Sequence, residues 1–426
     1  MSSLSLRLIP ALVVLLAAGC QPQTSDTETT SLKTGPWHAD IELPGGKAQF
    51  GLELSRETED WTATIINGSE RIRVPEVVYD DGRLSLRFPA FNNRIDALLV
   101  DGKLKGSLTL VKRYGKTQVI PFSAAPGARQ SSAQSSAAAD LSGRWAVTFT
   151  EDDGTEYPAI GEFRQRGNRL LGTFLTQTGD YRYLGGSMHG DTMRLSTFDG
   201  AHAFLFEAKL SDDGELTGQF WSGNQSLEAW RGSRNPDARL ADPSTLTFLK
   251  PDYDRFDFSF PDLNGDRVSL GDARFANKVV LVTLAGSWCP NCHDEAALMS
   301  ELYPRYRDQG VEIIALMYEH LEDEAAAIAQ VQAFKDKFDI EYVTLLAGIS
   351  DKTKAAETLP ALSQVLAFPT TIFIDRSGKV REIHTGFSGP GTGEHYQRQI
   401  RKITDMLDLL VAESSAVEQP SATTGD

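Results

Sequence analysis

The stretch VVLVTLAGSWCPNCH, residues 279–293, joins two elements of different period through a Cys-x-x-Cys pair. Val279 to Ala285 are apolar or β-branched and too few for a globular helix, so they read as a buried central strand. From His293 to Tyr306 the apolar spacing becomes helical, through Ala296, Leu298, Met299, Leu302 and Tyr303. Cys289 thus falls at or near a helix N-cap, where unpaired backbone N–H groups and the helix dipole favour a thiolate. Pro290 suits the first helical position, where its missing N–H costs nothing.

The chain contains three cysteines, Cys20, Cys289 and Cys292, so no second pair completes a four-cysteine zinc site. A metal site would need two distant histidines, and a structural disulfide closing so short a loop would stabilise the fold little. Redox chemistry is the stronger reading, with no metal and no bound cofactor.

Trp288-Cys289-Pro290-Asn291-Cys292 between strand and helix is followed by Phe368-Pro369-Thr370-Thr371 and a strand Ile372–Asp375. This combination resembles the thioredoxin superfamily, and within it the TlpA-like and ResA-like thiol–disulfide reductases of the wider AhpC/TSA and redoxin grouping. The resemblance covers about residues 250–412. It implies Cys289 as attacking thiolate, Cys292 as resolving thiol in a redox-active Cys289–Cys292 disulfide, and Pro369 as a cis-proline facing them. It also implies Trp288, Phe368 and Thr370 as client-contacting residues. Glu295 matches a glutamate that the ResA-like group places beside its cysteines, where it would move the resolving thiol's proton; a first-turn acid complementing the helix dipole is the competing reading. Thr283 stands where thioredoxin has a buried aspartate, so Glu295 or water must serve instead. His293 reads as an exposed helix-surface residue, or as a cation supporting the thiolate. The glycine-rich run 386–393 resembles the loop before the last helix of these proteins and is no phosphate loop, since no Lys-Ser/Thr follows.

At the N-terminus one positive charge and an apolar run from Leu8 to Ala17 read as a signal peptide, too short to span a bilayer. Leu16-Ala17-Ala18-Gly19-Cys20 resembles a bacterial lipoprotein signal, with Cys20 lipidated, and Gln21 after it points by analogy to the outer membrane. That places the cysteine pair outside the cytoplasm, on the periplasmic side, where disulfides persist. A formal net charge of -16 argues against nucleic acid and against electrostatic docking on anionic lipid.

Between residues 36 and 235 the texture is alternating strands and turn signals such as Asn67-Gly68, Asp81-Gly82 and Asp213-Gly214. The region looks duplicated: Gly35-Pro36-Trp37 and Gly143-Arg144-Trp145 open the halves, and Gly102-Lys103-Leu104-Lys105-Gly106 and Gly214-Glu215-Leu216-Thr217-Gly218 come near their ends. Two antiparallel β units follow, as two barrels or sandwiches or as halves of one barrel. Trp37, Trp61, Trp145, Trp221 and Trp230, with His38, His189 and His202, read chiefly as core, with a ligand surface as the alternative. These units are taken as a spacer that holds the redox domain off the membrane and as a client-docking module.

The domain plan is a signal peptide 1–19, a lipidated tether 20–35, β unit one 36–125, an Ala/Ser linker 126–139, β unit two 140–235, a thioredoxin-like domain 246–413 and a disordered tail 414–426. In the last domain strands are expected at 256–262, 311–317, 342–346, 371–375 and 380–384, and helices at 322–338, 355–366 and 394–411, giving a three-layer α/β sandwich. The implied function is reduction of envelope protein disulfides, with electrons from a membrane thiol–disulfide relay. Alternatives are an oxidant or isomerase, a thiol peroxidase, or a non-enzymatic lipoprotein that binds partners through its β units. Against peroxidase chemistry, the threonine that peroxiredoxins place three residues before their cysteine would fall at Gly286.

Overall fold

The computed structural model describes residues 31–128, 137 and 139–413. The signal peptide, Cys20, most of the tether and linker, and the tail lie outside the described residues. Among the described residues no helix is long and apolar enough to cross a membrane.

The two β units differ in closure. The first is an open nine-stranded antiparallel sheet, with Gly35–Leu43 near its centre between Gly46–Glu57 and Thr117–Pro126, and with Glu70–Arg73 and Glu76–Asp80 at its edges. The second closes: Glu156–Arg166 pairs with Gly143–Thr150 on one side and with Arg169–Thr176 on the other. A two-residue strand, Gly179–Asp180, extends the hairpin that begins at Arg169–Thr176. The barrel interior is filled by Phe149, Phe163, Phe174, Phe206, Phe220, Trp145 and Trp230, as a barrel of this width requires. These tryptophans and phenylalanines are core residues.

The duplication is visible in hydrogen bonds. Trp37 Nε1 donates to Lys33 O and Trp145 Nε1 to Leu141 O, each at 2.9 Å and each four residues back. At the repeated glycines a Cβ would overlap backbone, the Asp96 carbonyl at Gly106 and the Glu207 carbonyl at Gly218.

Strand Ala203–Leu210 explains how the units join. Its alternation sends Phe204 and Phe206 into the barrel and Ala203 and Leu205 outward, into the core of the open sheet. Phe198 and Trp221 from the barrel enter the same core, each burial contributing about 2 kcal/mol. Buried amides stitch the seam: Asn67 Nδ2 donates to Phe198 O at 2.8 Å while Phe198 N donates to Asn67 Oδ1 at 3.1 Å.

The C-terminal domain has a five-stranded sheet in the order 343–349, 311–319, 279–285, 370–374, 380–385. The first three strands are parallel and the last two antiparallel. All seven residues of Val279–Ala285 are buried at its centre. Around it run α1 (Pro290–Tyr306), α2 (Glu324–Phe338), α3 (Lys352–Thr358) and α4 (Glu394–Glu413). The helix expected over 355–366 is shorter and earlier, ending at Thr358, because the residue before Pro360 is pushed out of the helical region. The strand expected over 256–262 shrinks to Ser259–Pro261.

The β module does not hold this domain at a distance. The turn Lys112–Gly115 and the one-turn helix Pro89–Phe91 of the open sheet, and the turn after Arg169–Thr176 of the barrel, all pack on the end of the sheet where Cys289 lies.

Candidate redox site

The strand Val279–Ala285 delivers Gly286-Ser287-Trp288 to the N-terminus of α1, and three fixings hold that turn. Glu319, at the end of its neighbouring strand Val311–Glu319, accepts from Ser287 N at 2.9 Å and Ser287 Oγ at 2.6 Å. Trp288 Nε1 donates to Tyr318 O at 2.8 Å, and its ring stacks on His320 at 4.4 Å. Gly286 fits because nothing larger would: a Cβ there would overlap Trp288 Nε1 and sit 2.7 Å from Tyr318 O. The same geometry leaves no room for a peroxiredoxin-type threonine at this position.

Cys289 is the N-cap of α1, its Sγ accepting from Cys292 N at 3.2 Å, with Pro290 first in the helix. Cys289 and Cys292 are paired as a disulfide, Cα atoms 5.2 Å apart. Cys289 Sγ lies 3.3 Å from the carbonyl oxygen of Phe368, and the Phe368–Pro369 peptide bond is cis. The cysteine pair, Trp288, Phe368 and Pro369 therefore form one cluster. Thr370 opens the strand that follows and ties back to the loop: it is fully buried and its hydroxyl donates to Ala367 O at 2.9 Å.

Glu295 lies inside the domain, 2% exposed, and is no surface first-turn acid. Thr283 and Thr371 each donate a hydroxyl to its carboxyl, both at 2.5 Å. Burial raises its pKa above the ordinary range, against the pull of those two hydrogen bonds. Thr283 thus replaces the aspartate it was expected to leave missing by holding a carboxyl from the neighbouring helix. Glu319 is also buried, and burial pushes its pKa up to about 7.

His293 corrects the expectation of an exposed side chain. It is 5% exposed and stacks on Phe91 of the open sheet at 4.0 Å. Its Nε2–H faces Ser287 O at 2.6 Å and Lys337 Nζ sits 2.9 Å from Nδ1. Burial, then the Lys337 charge, holds its pKa well below the usual value, so the ring is neutral and lends no positive charge to a thiolate. His320 is held down to about 3 by burial and by Lys112 and Arg113.

The barrel supplies groups that sequence patterns did not reveal. Asp180 Oδ2 accepts from Asn291 Nδ2 of the Cys-x-x-Cys turn at 3.2 Å and from Gly389 N at 2.7 Å. Burial and then the neighbouring Asp294 raise the Asp180 pKa to about 6. Arg182, in the left-handed region at φ 56°, spreads its guanidinium over Asp294 of α1, Glu70 of the open sheet at 2.7 Å and Asp199 of the barrel at 3.8 Å. Its Nη1 also lies 3.4 Å from Pro290 O. No spacing in Thr176–Arg182 marks these residues; Glu319 carried a weak signal, as an acid at the carboxyl end of a buried parallel strand. Among the described residues no cluster of His, Cys, Asp and Glu is arranged to hold a metal.

The AhpC/TSA family model matches residues 254–383. The thiol-disulfide oxidoreductase ResA of Bacillus thuringiensis is 33% identical over 148 residues, 34% of this chain and 75% of that protein. The thioredoxin-like protein YneN of Bacillus subtilis is 32% identical over 130 residues, 30% of this chain and 68% of that protein. Among solved structures, a DsbF homologue from Corynebacterium diphtheriae aligns with a TM-score of 0.30 at 19% identity, covering 41% of this chain and 99% of that one. The chain belongs to the ResA-like thiol–disulfide oxidoreductases of the AhpC/TSA family, within the thioredoxin superfamily.

Proposed function

We propose that this thiol–disulfide oxidoreductase reduces disulfides of envelope proteins through the Cys289/Cys292 dithiol. The observation that carries the reading is the pair itself, seated at the N-terminus of α1 with Cys289 Sγ against the Phe368-Pro369 loop. Cys289 thiolate attacks a client disulfide and forms a mixed disulfide beside Pro369. Cys292 then attacks Cys289 and releases the reduced client. Glu295, buried with a raised pKa, exchanges the resolving thiol's proton. No cofactor enters these steps; electrons arrive from a membrane thiol–disulfide relay. The lipoprotein-like sequence at Cys20 supports anchoring on the periplasmic side of the outer membrane.

The deciding measurement is the reduction potential of the Cys289/Cys292 couple in the chain after Cys20, equilibrated against glutathione or dithiothreitol buffers. A value near about −270 mV supports a reductant of clients; a value near about −120 mV makes it an oxidant and overturns the proposed direction.

A further inference from the structure

The dithiol has little open surface. Cys289 is 5% exposed, Cys292 1% and Phe368 7%, and Pro369 is buried as well. On one flank the open sheet closes in: Gly115 N donates to His320 O at 3.1 Å, beside the His320 ring that backs Trp288. On the other flank stands the barrel turn Gln177–Arg182. Asp180 binds Asn291 and Gly389, and Arg182 reaches Pro290 O. At Gly386 a Cβ would lie 2.9 Å from the Thr178 backbone. A cavity of about 400 Å³ does open where the three domains meet, beside Gly68, Arg144, Tyr183 and Gly391, but neither cysteine lines it.

We propose that the barrel turn Gln177–Arg182 is a wall of the client groove and a specificity determinant, restricting exchange to disulfides carried on a narrow, extended segment. The inference rests on the thiol–disulfide reading above. An extended chain lying beside the Phe368-Pro369 loop needs about 5 Å, the spacing of paired strands. A disulfide on a helix brings a body about 10 Å across. Asp180 and Arg182 already occupy the side on which that body would rest. Moving them aside would expose a buried arginine and its carboxylates, so the wall stands during exchange.

The test uses the chain after Cys20, reduced with dithiothreitol and freed of it. One probe is a linear peptide whose single cysteine carries glutathione in mixed disulfide. The other is a folded protein presenting the same residues and modification on a surface helix, each rate being normalised to its reaction with dithiothreitol. In each turnover Cys289 thiolate attacks the peptide sulfur and glutathione leaves as its thiol. Cys292 then displaces the peptide thiol, leaving the Cys289–Cys292 disulfide, so two electrons and two protons pass to the probe.

The linear probe is expected to react at least tenfold faster, and Asp180→Ala to reduce that ratio severalfold. Equal normalised rates in the wild-type chain would overturn the proposal while leaving the oxidoreductase reading intact. An unchanged ratio in a folded Asp180→Ala chain would overturn the assignment to this turn. Turnover of neither probe would remove both readings.

Discussion

Glu319 holds Ser287 by two hydrogen bonds, 2.9 Å from its backbone N–H and 2.6 Å from its hydroxyl, two residues before the attacking cysteine. The carboxyl is 1% exposed and its pKa is raised from 4.5 to about 7 by burial. A folded-state pKa above the unfolded one means that the folded chain binds the extra proton. Its stabilising effect is complete below pH 4.5 and is lost as pH rises toward about 7, an effect of about 3 kcal/mol at most. Glu319→Gln imitates the protonated acid, since its amide donates to Ser287 Oγ and accepts from Ser287 N. Denaturant unfolding of both chains between pH 4.5 and 7.5 should therefore show a flatter pH dependence in the variant. Parallel curves would remove Glu319 as the titrating group.

Glu295 accepts hydrogen bonds from the hydroxyls of both Thr283 and Thr371 and has a raised pKa, a state suited to proton exchange, and the proposed mechanism assigns it the resolving thiol's proton. Glu295→Gln keeps the volume and one acceptor but cannot titrate. We expect first attack by Cys289 to change less than resolution by Cys292, so the mixed disulfide should accumulate by about 10²-fold slower release. Rapid acid quench followed by mass spectrometry measures that intermediate. Unaltered resolution would leave Glu295 a structural residue.

The strand, the Cys-x-x-Cys and the helix were legible because hydrophobic period changes across Gly286-Ser287, and the repeated Gly-x-Trp segments were legible because each tryptophan makes the same local bond. Most of what escaped was set by another domain, although Glu319 escaped from within the redox domain itself. His293 reads as surface on α1 alone; Phe334 and Phe338 of α2 and, some two hundred residues earlier, Phe91 of the open sheet bury it. Asp180 and Arg182 sit in an ordinary-looking turn, and their charges acquire meaning from Asn291 and Asp294 across the interface. Local periodicity reports the face an element buries in its own domain and is silent about docking between domains.

Gly286 carries a steric prediction. A Cβ there would overlap the Trp288 indole nitrogen and lie 2.7 Å from Tyr318 O, which is backbone and cannot rotate away. Gly286→Ala should expel the indole from its hydrogen bond to Tyr318 O and cost about 1–3 kcal/mol. Thermal unfolding together with the Trp288 indole N–H signal reads both effects. A variant with wild-type stability and an unshifted signal would contradict the close packing described for this turn.

Arg182 gives the sharpest test of the docked arrangement, because one side chain meets three domains. Its guanidinium, 13% exposed, neutralises Glu70, Asp199 and Asp294. Arg182→Gln keeps part of the length but leaves three carboxylates close together without their cation, a loss of about 3–5 kcal/mol for a buried network broken from one side. The sign of its pH dependence is fixed. The Arg182 charge favours the ionised forms of Glu70 and Asp199, so without it these two become easier to protonate; protonation removes the repulsion, and the penalty should be largest at pH 7 and shrink by pH 4.5. Denaturant unfolding of wild type and variant at the two pH values measures this directly. A packing defect would give the same penalty at both, whereas a penalty that falls with pH identifies charge as what Arg182 contributes to holding the β module on the redox face.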